Sequence, residues 1–151
     1  MSMWHRRAFL LLAGSVTAGP ARSQEMPPSR QPDGGGRSVD IVRGFVAEAE
    51  RMRAKAIAAG DQPFGAIVVS GDRIIGWGPS RVVVDRNPKA HAERVAIMDA
   101  QLRLAAVDLG GAVMYSTTKP CPMCEDAAAL AGIARVYWGR DAMDAGRPRR
   151  Q

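Results

Sequence analysis

Ala112-Val113-Met114-Tyr115-Ser116-Thr117-Thr118-Lys119-Pro120-Cys121-Pro122-Met123-Cys124 is the stretch on which the fold turns. Ala112 to Ser116 reads as a strand, and the loop after it ends at Pro120. Pro120 opens a helix to about Leu130, a placement proline favours because the N–H it lacks has no helical partner there. Downstream, Arg135 to Trp138 is the last clear strand. Upstream, a helix is expected from about Ala90 to Leu104, with Val95, Met98 and Leu102 at i, i+3, i+7. Before it, Arg81 to Lys89 reads as a loop or irregular strand ending at Asn87-Pro88. Ala66-Ile67-Val68-Val69-Ser70 and Arg73 to Trp77 form a hairpin across the Gly71-Asp72 turn, closed by Gly76, Gly78 and Pro79. A first helix starts at the Ser38 cap, carries Ile41, Phe45, Ala49, Met52 and Ala56 on one face, and ends at Gly60. The order α-β-β-α-β-α-β implies an α/β fold: a three-layer α/β/α sandwich with a mixed central sheet.

The chemistry lies in two short motifs. Cys121 and Cys124 are three apart on a helix, so their sulfurs share a face. They fall in its first turn, where the partial positive charge of the helix end favours thiolate. About 27 positions before Pro120 stands Glu93, in His91-Ala92-Glu93. Two residues apart on a helix, His91 and Glu93 point about 200° from each other. They can share a site only beyond the helix tip, with both in the first turn. The reading therefore requires two helix N-termini to converge, and each motif does follow a loop and a proline, Pro88 or Pro120. One imidazole and two thiolates can hold Zn2+ and leave its fourth position open. Such an ion lowers the pKa of water there to about 7. Glu93 can then take a proton from the attacking water and pass protons to a ring nitrogen and a departing amine. H-x-E followed by P-C-x-x-C is the pattern of zinc deaminases. The rival reading of the cysteines is a redox-active dithiol at a helix start. It leaves His91 and Glu93 without a role.

Composition bounds the rest. A chain of 151 residues fits one domain. Arg6-Arg7-Ala8-Phe9-Leu10, a short apolar run to Ala18, and Ala21-Arg22-Ser23 read as an export signal of twin-arginine type over residues 1–23. The run is shorter than the roughly 20 residues of a membrane span, so no stable span is expected in the mature chain. Residues 24–37, with Pro27-Pro28, Pro32 and Gly34-Gly35-Gly36, read as a flexible linker. The formal charge is +6, with 21 Lys and Arg against 15 acids. Arg6, Arg7 and Arg22 lie in the signal, so the mature chain keeps 18 bases and a charge of +3. Arg140, Arg147, Arg149 and Arg150 make residues 140–151 a basic, solvated tail. Aromatics are too few for a nucleic-acid face.

From Pro63 to Gly139 the chain resembles the cytidine-deaminase-like superfamily, and within it the guanine deaminase and tRNA adenosine deaminase branch. Pro63-Phe64-Gly65-Ala66-Ile67-Val68-Val69, Asn87-Pro88-Lys89-Ala90-His91-Ala92-Glu93, Pro120-Cys121-Pro122-Met123-Cys124 and Arg135-Val136-Tyr137-Trp138-Gly139 carry the resemblance. It implies zinc ligands His91, Cys121 and Cys124, and Glu93 as proton shuttle. It implies that Phe64, Gly65 and Ala66 line a base pocket, with Ala92 and Ser80 also at the substrate, and it implies a homodimer. Three departures are visible. Ser80 replaces the asparagine of a Gly-x-Asn-Arg pattern, and serine lacks the paired donor and acceptor of an amide. Lys119 stands where glutamate is usual. The polar tail, with Gly146 and Pro148, is expected to add no further strand or helix, leaving the domain, residues 38–139, C-terminally short.

The expected function is a zinc-dependent hydrolytic deaminase of a free nucleobase or nucleoside, with a guanine- or cytosine-type amine, releasing ammonia. Export to the periplasm argues against transfer RNA as substrate. A catalytically weak or inactive zinc-binding homologue and a periplasmic dithiol-disulfide exchange protein are the alternatives.

Overall fold

A computed structural model of the chain describes residues 38–151. The export signal and the linker read at 1–37 lie outside the described residues. Within them, helix α1 (Val39–Ala58) precedes the hairpin β1 (Gly65–Ser70) and β2 (Arg73–Pro79). Then follow α2 (Ala92–Leu104), β3 (Val113–Ser116), α3 (Pro122–Leu130), β4 (Arg135–Trp138) and β5 (Met143–Gly146). The strands form one sheet in the order β2-β1-β3-β4-β5. Only β3 and β4 run parallel; the other neighbours are antiparallel. The sheet is therefore mixed.

The pleat sorts side chains into two cores. Ile67, Val69, Val113 and Tyr115 face α1 and meet Phe45, Ala49 and Met52. Ala66, Val68 and Met114 point the other way, onto Ala92, Ala96 and Ala100 of α2 and Ala128 of α3. This period-2 alternation is what a strand imposes on its side chains. With both faces covered, β1 reads as an unbroken apolar run, and the three-layer sandwich follows.

Helix α2 departs from its expected face. Val95 is buried, but Met98 is 54% and Leu102 74% exposed. The face turned inward is Ala92, Ala96 and Ala100. The reason lies in β2. A Cβ built at Gly78 would overlap the Ala92 carbonyl and the Ala96 amide, and one at Gly76 would overlap the Ala96 carbonyl. Glycine opposite alanine lets helix and strand backbones approach closely, so small residues rather than long ones mark the packed stripe. In α1, Phe45, Ala49, Met52 and Ala56 are buried as their spacing predicts, whereas Ile41 is exposed.

Both motif helices start later than expected. His91 is the N-cap of α2, and Cys121 is the N-cap of α3 with Pro122 in its first turn. The C-terminal segment also differs. Met143–Gly146 pairs with β4 as a fifth strand. Pro148 is buried, and the amides of Arg149 and Gln151 donate to the Glu125 and Asp126 carboxylates of α3. Residues read from composition as a solvated tail thus extend the sheet. Backbone pairing needs no apolar side chain, so polarity alone could not exclude it.

Candidate metal centre and active site

Two helix N-termini converge on one site. The N-termini of α2 and α3 bring His91 and Cys121 together as caps, and Cys124 follows one turn inside α3. His91 Nδ1 lies 3.6 Å from Cys121 Sγ and 3.5 Å from Cys124 Sγ. All three donor atoms fall within 4.8 Å of one another. With Zn–S near 2.3 Å and Zn–N near 2.0–2.1 Å, tetrahedral angles place a ring nitrogen and a sulfur roughly 3.6 Å apart. The observed spacings match that edge. One ring nitrogen equidistant from two sulfurs is awkward for a single hydrogen bond and natural for a shared ion. The cysteines are not disulfide-bonded.

Electrostatics point the same way. Burial first, then the Glu93 carboxylate and the neighbouring Cys121, push the Cys124 thiol far above its ordinary range. Burial and the nearby carboxylate thus oppose the thiolate that the helix end favours. A cation among the three donors reverses that balance, because a coordinating thiol is deprotonated outright. The donor set fits zinc: two soft sulfurs, one imidazole and, among the described residues, no fourth protein ligand, as in catalytic rather than structural sites.

Glu93 sits within the first turn of α2 and is only 4% exposed. Its Oε1 accepts a hydrogen bond of 3.0 Å from Ser116 Oγ, at the end of β3. Ser116 has no place in either motif. The one clue in the chain is a hydroxyl closing an otherwise apolar strand.

The residues expected at the substrate are placed differently from one another. Phe64 is 37% exposed, at the entry to β1. A Cβ at Gly65 would overlap the backbone of α1 at Ala49 and Arg53, so this glycine serves a close helix contact. Its N–H donates to Thr117 Oγ1 at 3.1 Å, tying β1 to the loop before Cys121. Ala66 and Ala92 are wholly buried in the α2 core. Ser80 is 2% exposed, and its hydroxyl donates to Asp61 Oδ1 at 2.8 Å. Lys119 is exposed, two positions before Cys121. A groove of about 490 Å³ runs between α2, α3 and the loop before His91, and Arg94, Met98, Val107 and Leu130 are among its walls.

Residues 41–140 match the family described as the cytidine and deoxycytidylate deaminase zinc-binding region. The chain is 34% identical over 97 residues to the guanine deaminase of Bacillus subtilis strain 168, covering 64% of this chain and 57% of that one. It is 38% identical over 94 residues to the tRNA-specific adenosine deaminase of Aquifex aeolicus, covering 62% of each. The X-ray structure of guanine deaminase from Bacillus subtilis superposes with a TM-score of 0.61 at 34% identity, over 64% of this chain and 62% of that one. The chain thus spans somewhat more than half the length of these curated relatives.

Proposed function

The chain belongs to the cytidine and deoxycytidylate deaminase zinc-binding family, and from that premise we propose that it is a zinc-dependent hydrolase of C–N bonds acting on a free base or nucleoside. The observation that carries the reading is the meeting of His91, Cys121 and Cys124 beside a buried carboxylate. His91 Nδ1 and the two sulfurs would hold the ion. Zinc with three protein ligands supplies a water that ionises near neutral pH. Glu93 takes a proton from the attacking water as the new C–O bond forms. It passes that proton to the ring nitrogen, then takes the second from the new hydroxyl and passes it to the exocyclic nitrogen, so the C–N bond breaks with loss of ammonia as the carbonyl forms. Ser116 holds the carboxylate in place while it does so.

Guanine- or cytosine-type amines are the proposed substrates. The twin-arginine-type reading of residues 1–23 supports a small exported substrate over transfer RNA, and with it a periplasmic site of action. The exposed Met98, Val107 and Leu130 along the groove support the homodimer that the family resemblance implies. The commitment of Ser80 to Asp61 favours a second reading, a zinc-binding homologue with little turnover, because the hydroxyl spends its one proton away from any base. Dithiol exchange accounts for neither His91 nor Glu93.

Ammonia release from a panel of amino-bearing bases and nucleosides, using the zinc-loaded chain, is the test. Release from guanine or cytosine derivatives, absent in Glu93→Gln, supports the deaminase. Bound zinc with no release from any base supports the second reading. Release from an adenosine-bearing RNA stem-loop alone replaces the free-base substrate.

A further inference from the structure

Asp61 lies just past α1 and belongs to neither motif. Its carboxylate gathers four donors. Oδ1 accepts from Gln62 N and Ser80 Oγ, each at 2.8 Å, and Oδ2 from Val83 N and Val84 N, each at 2.9 Å. Its own amide donates to Ala56 O at 2.9 Å, anchoring it to the end of α1. The donors tie the loop from Ser80 to Ala90 to the end of α1, while bonds within the loop, Arg81 to Asp85 and Asn87 N to Val82 O among them, give it its shape. Arg81 and the run from Val83 to Lys89 are exposed, and Val82 is only half-buried. Among its apolar side chains only Ala90 is buried, so the link to α1 falls to the buried Asp61 carboxylate.

The loop is closed at its neck. Arg81 N donates to Ala90 O at 3.0 Å, and Ala90 N donates to Asn87 O. His91 follows at once as the extended N-cap of α2, and its carbonyl accepts the first helical bond, from Val95 N at 3.0 Å. We propose that Asp61 is a positioning residue for the metal ligand His91, acting through the loop it fastens. The same carboxylate holds Ser80 and sits two residues before Pro63-Phe64, so it also joins the two segments expected at the substrate. The inference rests on the zinc reading for what His91 does. Partners of metal ligands that lie outside the coordination sphere set ligand orientation, and losing one costs roughly 10–100-fold in metal affinity.

Asp61→Asn is the test, in the full chain. The amide can accept at one atom only, so its NH2 must face either the N–H groups of Val83 and Val84 or that of Gln62, and the four-donor clamp is broken in both orientations. Zinc affinity, measured by competition with a chromogenic chelator, is expected to fall about tenfold. Met52→Ala, a core change in α1 chosen for a similar loss of thermal stability, is expected to leave zinc affinity within about twofold. Equal zinc affinity in Asp61→Asn and wild type overturns the proposal, as does an equal loss in both variants. If Asp61→Asn does not fold, Ser80→Ala removes one donor and keeps the carboxylate, with an expected loss of about threefold; no loss counts against the proposal. A wild-type chain that takes up no zinc refutes the metal reading instead. Hydrogen exchange then decides the coupling without metal. Loss of the carboxylate must accelerate Val95, whose amide closes on His91, together with Val83 and Val84. Acceleration at Val83 and Val84 alone overturns it.

Discussion

Glu93 and Ser116 show how much one oxygen can decide. The carboxylate is buried and accepts from the Ser116 hydroxyl. Glu93→Gln keeps the shape and removes the group proposed to carry protons. It is expected to retain zinc and lower kcat by about 10²–10⁴, read from ammonia release beside a metal assay. Ser116→Ala is expected to cost about tenfold in kcat with little change in KM, and Ser116→Thr to recover most of it. Asp61 adds a pH dependence. Burial opposes its charge, but hydrogen bonds from Val84, Ser80, Gln62 and Val83 outweigh that and hold its pKa below the ordinary carboxylate value. A depressed acid contributes stability that is present above its unfolded pKa near 3.9 and lost as pH falls through the folded value. Thermal melts of wild type should therefore drop in acid below about pH 4, and Asp61→Asn should flatten that limb. His91, Glu93, Cys121 and Cys124 were legible in the chain because their types and spacing match one chemistry. Ser116 and Asp61 were not, because each acts through a partner 23 or 19 positions away that spacing does not reveal.

Among the elements, α2 and β2 form the most demanding contact. Gly76 and Gly78 face Ala92, Ala96 and Ala100 with no room for a methyl group. Gly78→Ala is expected to push α2 outward and destabilise the fold by about 1–3 kcal/mol, the range for overpacking, as measured by denaturant unfolding. Because α2 begins at the metal ligand, zinc affinity should fall with it. The helices and first four strands were readable from period and punctuation. The inward face of α2 was not, because its long apolar residues at Val95, Met98 and Leu102 suggested a stripe that the glycines of β2 redirected toward alanine. Strand β5 was hidden for another reason: an edge strand can form from backbone pairing with mostly exposed side chains.

Across the whole molecule, zinc would cross-link helices that begin about 30 residues apart. Free zinc at a hundredfold excess over its Kd stabilises the folded state by about 2.7 kcal/mol, so chelation should lower Tm by roughly 10 °C for a domain of this size. A melt unchanged by chelator counts against the metal centre. Assembly is a separate matter. The proposed homodimer predicts that wild type scatters light as a dimer and that Met98→Asp, on the exposed face of α2, scatters as a monomer with unchanged zinc content. No helix among the described residues is long and apolar enough to cross a membrane.

The linear chain by itself determined the α/β class, the positions of the metal-binding residue types and the need for two helix tips to meet. Those follow from periodicity, proline placement and the chemistry of imidazole and thiol, which are local. Tertiary structure alone decided that His91 and Cys121 are caps, that Ser116 reaches Glu93, that Asp61 holds the loop before His91, and that the polar C-terminal segment joins the sheet. These depend on which backbones pack closely and which buried polar groups must find partners, and such contacts form between residues far apart along the chain.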